Sequence, residues 1–492
     1  MLPRNKSYVW LLFALSFWGN VLIGQNLSSQ QANYIAELET AQSPVTGTFA
    51  SCSMKRLGHL LTEGDQILIH RSTDQTASWS LIEVIHHPDS GRLIDPVMTV
   101  DVAGVFYVIF MRIQKAGILM PDRRTHLDLY RSIDDGVSWQ FVDSAYTDMF
   151  PDYPQLISRG NGGVYMIFGN FTLPSNQRTI FMHTGDSGST WSTPYEFDYP
   201  SEQLPEMGIA DINWGPDSSL HIGFASGFWK GPCHISSDDF GATWSEVTLT
   251  RQQNNPALYA AVSKVISNPA VDFFGIIAHR PHFSSTPITY HYEDGDSLGT
   301  TYIGTGAYAE GILMDDSIIH VIYNSVEDDT FRINYLVSGD QGRSFSAPIV
   351  LYSALNDFEE YGEYQSLIHG QDGQFYLTFC DWGDSSKAKS LVFEPLEVTY
   401  NPTTSIGPKS EAGYALFPNP VSTILTLEFP DDAQVSAVSL HTLEGKRVQM
   451  VGPALGQPQV EIDVSPLPDG MYIVRFKEQA RYVIRRFVKV SG

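Results

Sequence analysis

Five carboxylates stand at one recurring place in this chain: Asp95, Asp152, Asp211, Glu310 and Glu363 each come just ahead of a short run of β-branched and aromatic residues. Tyr153, Tyr308, Tyr361 and Tyr364 lie close to them. Ionised carboxylates accept hydrogen bonds from sugar hydroxyls or ligate a hydrated cation, and tyrosine rings cover the apolar face of a sugar. Asp95, Asp152, Tyr153, Asp211, Glu310, Glu363 and Tyr364 are therefore the candidate ligand-binding set. The plain structural alternative is that they cap strand ends or join neighbouring strands, because a buried carboxylate needs partners in any case. Other chemistries find less support. His279-Arg280-Pro281-His282 offers two histidines but no third ligand at suitable spacing, so no metal site is expected. No Gly-x-Ser-x-Gly elbow, phosphate loop or dinucleotide fingerprint occurs, and no cofactor is expected.

Residues so far apart can meet only if a repeat brings them together. One short turn, Ser/Thr-x-Asp-x-Gly-x-x-aromatic, supplies the repeat: Ser132 to Trp139, Thr184 to Trp191, Ser237 to Trp244 and Ser338 to Phe345, with an eroded copy from Ser72 to Trp79 that has Thr76 in place of glycine. Its aspartates Asp74, Asp134, Asp186 and Asp239 are 60, 52 and 53 residues apart, and Asp340 follows 101 later, so one copy has lost its motif near Tyr290 to Asp296. In such a turn the carboxylate and hydroxyl accept the N–H groups just downstream, glycine supplies a positive φ, and the aromatic opens the next strand. These five aspartates read as hairpin clasps rather than catalytic groups. Asp134-Asp135-Gly136 also lacks the ligand spacing of a calcium loop.

Around each turn the sequence reads as four short antiparallel strands, for example Asp95 to Val100, Gly104 to Phe110, Leu127 to Arg131 and Trp139 to Val142. A period near 50 residues with four strands per unit predicts a β-propeller, since one such sheet cannot bury both faces alone. Six blades are counted, with C-terminal strands at Tyr364 to Ile368 and Gln374 to Phe379 completing the N-terminal blade. Leu391-Val392-Phe393 is then a surplus strand that leaves seven possible. The innermost strands should line the axis and start at the face opposite the clasps.

These repeats resemble the Asp-box repeats of sialidase-like propellers, over roughly 47–400. The resemblance implies that fold. A working sialidase of the family would also need three arginines gripping the substrate carboxylate, a tyrosine nucleophile backed by a glutamate, and an aspartate acid/base. The family's Arg-Ile-Pro segment is missing, and its nearest counterpart is Lys55-Arg56-Leu57-Gly58. Arg112 and Arg280 follow second strands without local sequence that marks them as the other two. A ring of acids would repel an anionic sugar. The expected function is recognition of a glycan or polysaccharide, with a glycan-degrading activity unproven; an exo-α-sialidase and a protein-binding surface adhesin are the alternatives.

The two ends speak of export. Residues 1–24 have a short basic start and an apolar stretch with a plausible cleavage point at Gly24-Gln25, which predicts a secretory signal peptide; no later segment is long and apolar enough to cross a bilayer. After a polar, proline-containing linker at 401–410, residues 411–492 carry Pro418-Asn419-Pro420, Gly445-Lys446 and Leu467-Pro468-Asp469-Gly470-Met471-Tyr472 among short strands. In that order they resemble the type A C-terminal sorting domain of the type IX secretion system, an immunoglobulin-like β-sandwich. That resemblance implies passage across the outer membrane of a Gram-negative bacterium, with the secretion machinery as partner and a secreted or surface-held product.

Charge and cysteines agree with this picture. Of 492 residues, 30 are basic and 55 acidic, a net −25, and residues 411–492 are nearly balanced with 8 basic and 9 acidic. An acidic propeller repels nucleic acid and anionic surfaces. Nothing suggests association, and a monomer is expected. Cys52, Cys233 and Cys380 are too few for a disulfide framework and leave their pairing open.

Overall fold

The computed structural model describes the chain from Leu22 to Val490 except for 24–26, 29–33, 57–64, 87–90, 115–123, 149–150, 171–177, 198–206, 216–217, 227–230, 250–261, 269–270, 280–285, 295–296, 315–317, 356–364, 382–386, 397–414, 419–420, 430–434, 443–446, 453–458 and 479–480. Most of the expected signal peptide and the whole linker thus lie outside the described residues. Among the described residues no helix is long and apolar enough to cross a membrane.

The fold is all-β, a propeller followed by a small sandwich. Alternating apolar runs form four-stranded antiparallel sheets, the first from Tyr34–Gln42, Phe49–Arg56, Gln66–Ser72 and Ser80–His86. The second and third blades begin with Arg92–Val100 and Pro151–Gly160, and the fourth with Met207–Trp214. Val262–Asn268 opens the fifth. One long strand, Ser297–Met314, pairs first with Thr286–Asp294 and then with Ile318–Glu327, so it is both the outer strand of the fifth blade and the inner strand of the sixth. Gln365–His369, Phe375–Cys380 and Lys387–Phe393 make a seventh sheet.

This corrects the expected closure. The first blade supplies all four of its own strands, beginning at Tyr34 rather than near Gly47. The C-terminal strands form a separate blade, whose outer edge pairs with Leu22–Ile23 and Leu27–Ser28. The first of these pairs falls inside the segment expected to be the signal peptide. Each innermost strand contacts the next around the axis, and Gln365–His369 contacts Tyr34–Gln42, so among the described residues seven sheets follow one another around the ring. The copy that lost its motif is the fifth blade, where Asp294 pairs directly with Ser297.

Packing lies between blades. Cys52, Met54, Ile67 and Ile69 of the first blade meet Phe106, Val108, Phe110 and Trp139 of the second, and Ile35, Leu38 and Trp79 meet Cys380 and Ala388 across the closure. Each buried Ile, Leu or Phe contributes about 1.5–3 kcal/mol, so interblade faces hold the ring. Polar latches add to them. Asp135 accepts from Arg71, Thr46 and Thr48 of the preceding blade, at 2.7, 2.5 and 2.6 Å. At the closure Ser390 Oγ donates to the Thr76 carbonyl at 3.2 Å. All three cysteines are buried, and no disulfide joins any two of them.

The clasps form in all five copies. Asp134 Oδ1 accepts from Ser132 Oγ at 2.8 Å and from the Ser138 N–H at 2.9 Å, while Ser132 Oγ accepts from the Gly136 N–H at 2.9 Å. Asp74, Asp186, Asp239 and Asp340 repeat the pattern on Ser78, Thr190, Thr243 and Ser344. One detail differs from expectation: the aspartate bonds are exposed, and the buried N–H is the one that serine or threonine accepts. Thr76, where glycine is usual, sits at φ 64.

Residues 415–489 fold into two sheets, one of Ala415–Phe417, Ile424–Glu428 and Gln459–Asp463, the other of Val435–Thr442, Arg447–Gly452, Gly470–Glu478 and Arg481–Lys489. Leu425, Leu427, Val438, Leu440, Val474, Phe476 and Phe487 fill the space between them. It is the small β-sandwich the sequence predicts.

Candidate functional site

The axis is where the blades bring polar residues together. Five innermost strands carry the same irregularity, a register shift between Ala36 and Leu38, Ile94 and Val97, Asp152 and Gln155, Met207 and Ala210, and Ala307 and Glu310. A bulge of this kind bends the strand and re-aims a side chain. Four of the bulged residues, Glu37, Asp95, Tyr153 and Tyr308, hold φ between 50 and 52°, a left-handed conformation that costs a non-glycine residue free energy. The register puts these bulges at the end opposite the clasps, since Val100 pairs with Phe106 and Phe106 with Ser132.

Three bulges from consecutive blades open into one pocket. It is open to solvent and is lined by Glu37, Glu39, Asp95, Tyr153, Gln155 and Lys264 together with Leu38, Pro96, Val97 and Pro154. The Asp95 N–H donates to Glu37 Oε2 at 2.5 Å and ties the first two bulges together. Across the axis, Gln365 Nε2 donates to the Tyr308 carbonyl at 2.7 Å.

Glu39 and Lys264 of the lining belong to a charged cluster with Asp211 and Glu310. Lys264 Nζ is 3.2 Å from Glu310 Oε1, and Asp211 Oδ2 accepts the Val265 N–H at 2.7 Å. Burial is the largest influence on every member. It pushes Glu39 up to about 8, where Lys264 pulls it back and Glu310 and Asp211 push it further. Burial likewise raises Asp211 and Glu310. Burial alone would lower Lys264, but the three surrounding carboxylates outweigh it and keep it an ammonium. Desolvation and the like charges around Glu39 thus favour its protonated form, with Lys264 opposing them.

The sequence-predicted set divides accordingly. Asp95 and Tyr153 line the pocket, and Asp211 and Glu310 surround Lys264, which lines it too. Asp152 is half-buried, accepts its neighbour's Tyr153 N–H at 3.0 Å, and is not among the lining residues. Glu363 and Tyr364 lie outside the described residues. The described carboxylates stand within the innermost strands rather than ahead of them. Glu37, Glu39, Gln155 and Lys264 were not anticipated. Arg112 is held by Asp128, with Nε to Oδ2 at 2.5 Å, and Arg280 and His282 lie outside the described residues. His279 is buried, and neither ring nitrogen has a hydrogen-bond partner.

Similarity to known proteins bears on each domain separately. Residues 415–490 match the family described as secretion system C-terminal sorting domain. The protein is a type IX export substrate. Its destination is therefore the cell surface or the medium. Xyloglucanase Xgh74A of Acetivibrio thermocellus is 25% identical over 190 residues, 36% of this chain and 22% of that protein, so under a quarter of the relative's length is matched. Among solved structures, an ulvan lyase, a polysaccharide lyase, aligns with a TM-score of 0.52 at 13% identity over 75% of this chain and 96% of that one. A Hadza microbial sialidase aligns with a TM-score of 0.41 at 14% identity over 74% of this chain and 66% of that one. At such identities the likeness is one of fold.

Proposed function

We propose that the exported propeller binds a neutral or cationic polysaccharide in its axial pocket. The observation that carries this reading is the convergence of three bulged strands on one pocket that combines carboxylates at Glu37, Glu39 and Asp95, the amide of Gln155 and the half-buried ring of Tyr153. Carboxylates and amides take sugar hydroxyls, and a tyrosine ring covers a sugar's apolar face. The xyloglucanase and ulvan lyase similarities favour a saccharide over a protein ligand, since both relatives act on polysaccharides by name.

Charge sets the preference among saccharides. A sialic acid would place its carboxylate against Glu37 and Asp95, while the described lining offers one cation, Lys264, already engaged by Glu310. The test is binding of the purified exported protein to an array of neutral, amino and sialylated glycans. Signal on neutral or amino glycans is expected; signal confined to sialylated glycans, or none on any sugar, refutes the reading, and the second outcome favours a protein-binding adhesin.

A further inference from the structure

The seams between blades are not alike. Apolar clusters join the first blade to the second, the second to the third and the third to the fourth. Others join the fifth blade to the sixth and the sixth to the seventh. Among the described residues no such cluster joins the fourth blade to the fifth, and the one across the closure is small, Ile35, Leu38 and Trp79 against Cys380 and Ala388. The ring therefore divides into two well-packed halves, blades one to four and blades five to seven, which meet along two poorer seams. Interdigitated apolar side chains resist relative movement, whereas polar contacts that water can replace resist it far less.

The two seams differ in kind. Between the fourth and fifth blades the innermost strands are bonded through their backbones. Ile209 and Val262 pair in parallel, the Val265 N–H donates to Asp211 Oδ2 at 2.7 Å, and the Val265 carbonyl accepts from Asn213 Nδ2 at 3.2 Å. Farther from the axis the contact is flat. The His234 ring stacks on Phe274 with centroids 3.5 Å apart, and Gly223 sets bare backbone against Val265, where a Cβ would come within 2.8 Å of Val265 Cγ2. Strands tied at the axis, with flat surfaces outside them, make a hinge. Across the closure the contacts near the axis are hydroxyls. Thr40 Oγ1 and Thr378 Oγ1 lie 2.7 Å apart, and Ser366 Oγ accepts the Thr40 N–H at 3.2 Å and donates to the Thr40 carbonyl at 3.3 Å. Parting them strands little, because Thr40 Oγ1 already reaches Ser51 Oγ of its own blade at 3.1 Å and entering water takes the remaining bonds. The chain ties the two lips on their outer side, since Leu27–Ser28 pairs with Ala388 and Lys387 ahead of Tyr34, and so limits how far they part.

We propose that the propeller is a hinged clamp: blades five to seven swing against blades one to four about the fourth–fifth seam, and the ring opens at the seam between the first and last blades. The movement acts on the axis. Lys264 sits beside the hinge, while Glu310 and Gln365 travel with the swinging half, away from Glu37 and Glu39 of the first blade. The axial site widens when the seam parts and narrows on an occupant when it shuts, whatever that occupant is.

The three cysteines, all buried, already report on the seams: Cys380 lies in the closure cluster, Cys52 between the first and second blades, and Cys233 between the third and fourth. The exported protein is treated with a thiol reagent under native conditions, and labelling at each site is followed by mass spectrometry. Cys380 should react at least about 10-fold faster than Cys52 and Cys233, because the seam opens without unfolding the blades. Hydrogen exchange should give the same order at the two seam amides, with Thr40 about 10-fold or more ahead of Val265 after correction for intrinsic rates. In Thr40→Cys/Thr378→Cys, an oxidised bond across the seam should slow Cys380 to the rate of the other two, and reduction should restore it. Equal rates at the three thiols, Cys380 the slowest, or fast labelling of Cys380 that the lock does not slow, overturns the clamp. So does joint exchange of Thr40 and Val265, which decides the matter alone if the double variant fails to fold.

Discussion

Replacing Ser132 by alanine should cost more stability than replacing Asp134, although the aspartate is the signature of the turn. Ser132 Oγ accepts the Gly136 N–H at 2.9 Å in a buried setting, so Ser132→Ala leaves that donor without a partner. An orphaned buried N–H costs about 1–3 kcal/mol. Asp134 makes its bonds to the Ser138 N–H and hydroxyl at the surface, at 2.9 and 2.6 Å, and water replaces what Asp134→Ala removes. A net loss of about 0.5–1 kcal/mol follows for such solvated bonds. The two residues are bonded at 2.8 Å, so the double variant should fall short of additivity by a few tenths to about 1 kcal/mol. Urea unfolding of the four proteins of the cycle measures this, and Ser237 with Asp239 offers an independent repeat on Gly241 and Thr243. A larger loss for Asp134→Ala than for Ser132→Ala would refute the assignment of the buried bond to serine.

Other consequences follow from the same packing. Thr76→Gly should leave stability unchanged or raise it by about 1 kcal/mol, because threonine at φ 64 is strained and its buried hydroxyl has no partner; loss of that much in urea unfolding would contradict it. Lys264→Met should destabilise by about 3 kcal/mol, since it strands buried carboxylates, and the loss should shrink on acidification as they take up protons. Burial lowers His70, His221 and His320 to about 4 and His279 and His291 to about 3. The unfolded chain then binds protons that the folded one refuses, so stability is complete above about pH 6.5 and falls toward pH 4, by up to about 1.4 kcal/mol per pH unit for each histidine. Urea midpoints across that range should show the fall; a flat profile would count against neutral, buried histidines. The Thr184 and Thr190 hydroxyls hold Asp186 down to about 2, so its clasp is fully present above pH 4 and lost only as pH drops through about 2, a loss that amide exchange at Thr190 would report.

Much of the propeller was legible because its clasps are local. Ser, Asp and Gly at fixed offsets dictate a turn wherever they occur, and five copies at a steady period dictate a ring. Blade number was harder to read, for physical reasons. Tyr34-Ile35-Ala36-Glu37-Leu38-Glu39 carries acids where an ordinary strand carries apolar residues, since these face a polar axis, and the last blade closes with strands from the opposite end of the chain. Asp95, Asp211 and Glu310 were found by register alone, because register is what the axis shares. Lys264, within Val262-Ser263-Lys264-Val265, looks like the wet side of a strand, and only its three carboxylate neighbours from other blades reveal an ammonium at the axis. Asp152 matched the pattern equally well but turns to its neighbour's backbone.

Binding of the exported protein to immobilised neutral polysaccharides, compared among wild type, Tyr153→Ala and Asp152→Asn, tests the axial pocket most directly. Tyr153 lines it and Asp152 does not. The pocket account predicts that Tyr153→Ala weakens binding about tenfold, the loss of roughly 1.4 kcal/mol of ring contact, while Asp152→Asn binds like wild type. Equal binding by wild type and Tyr153→Ala, or loss only in Asp152→Asn, would place the ligand elsewhere on the propeller and contradict it.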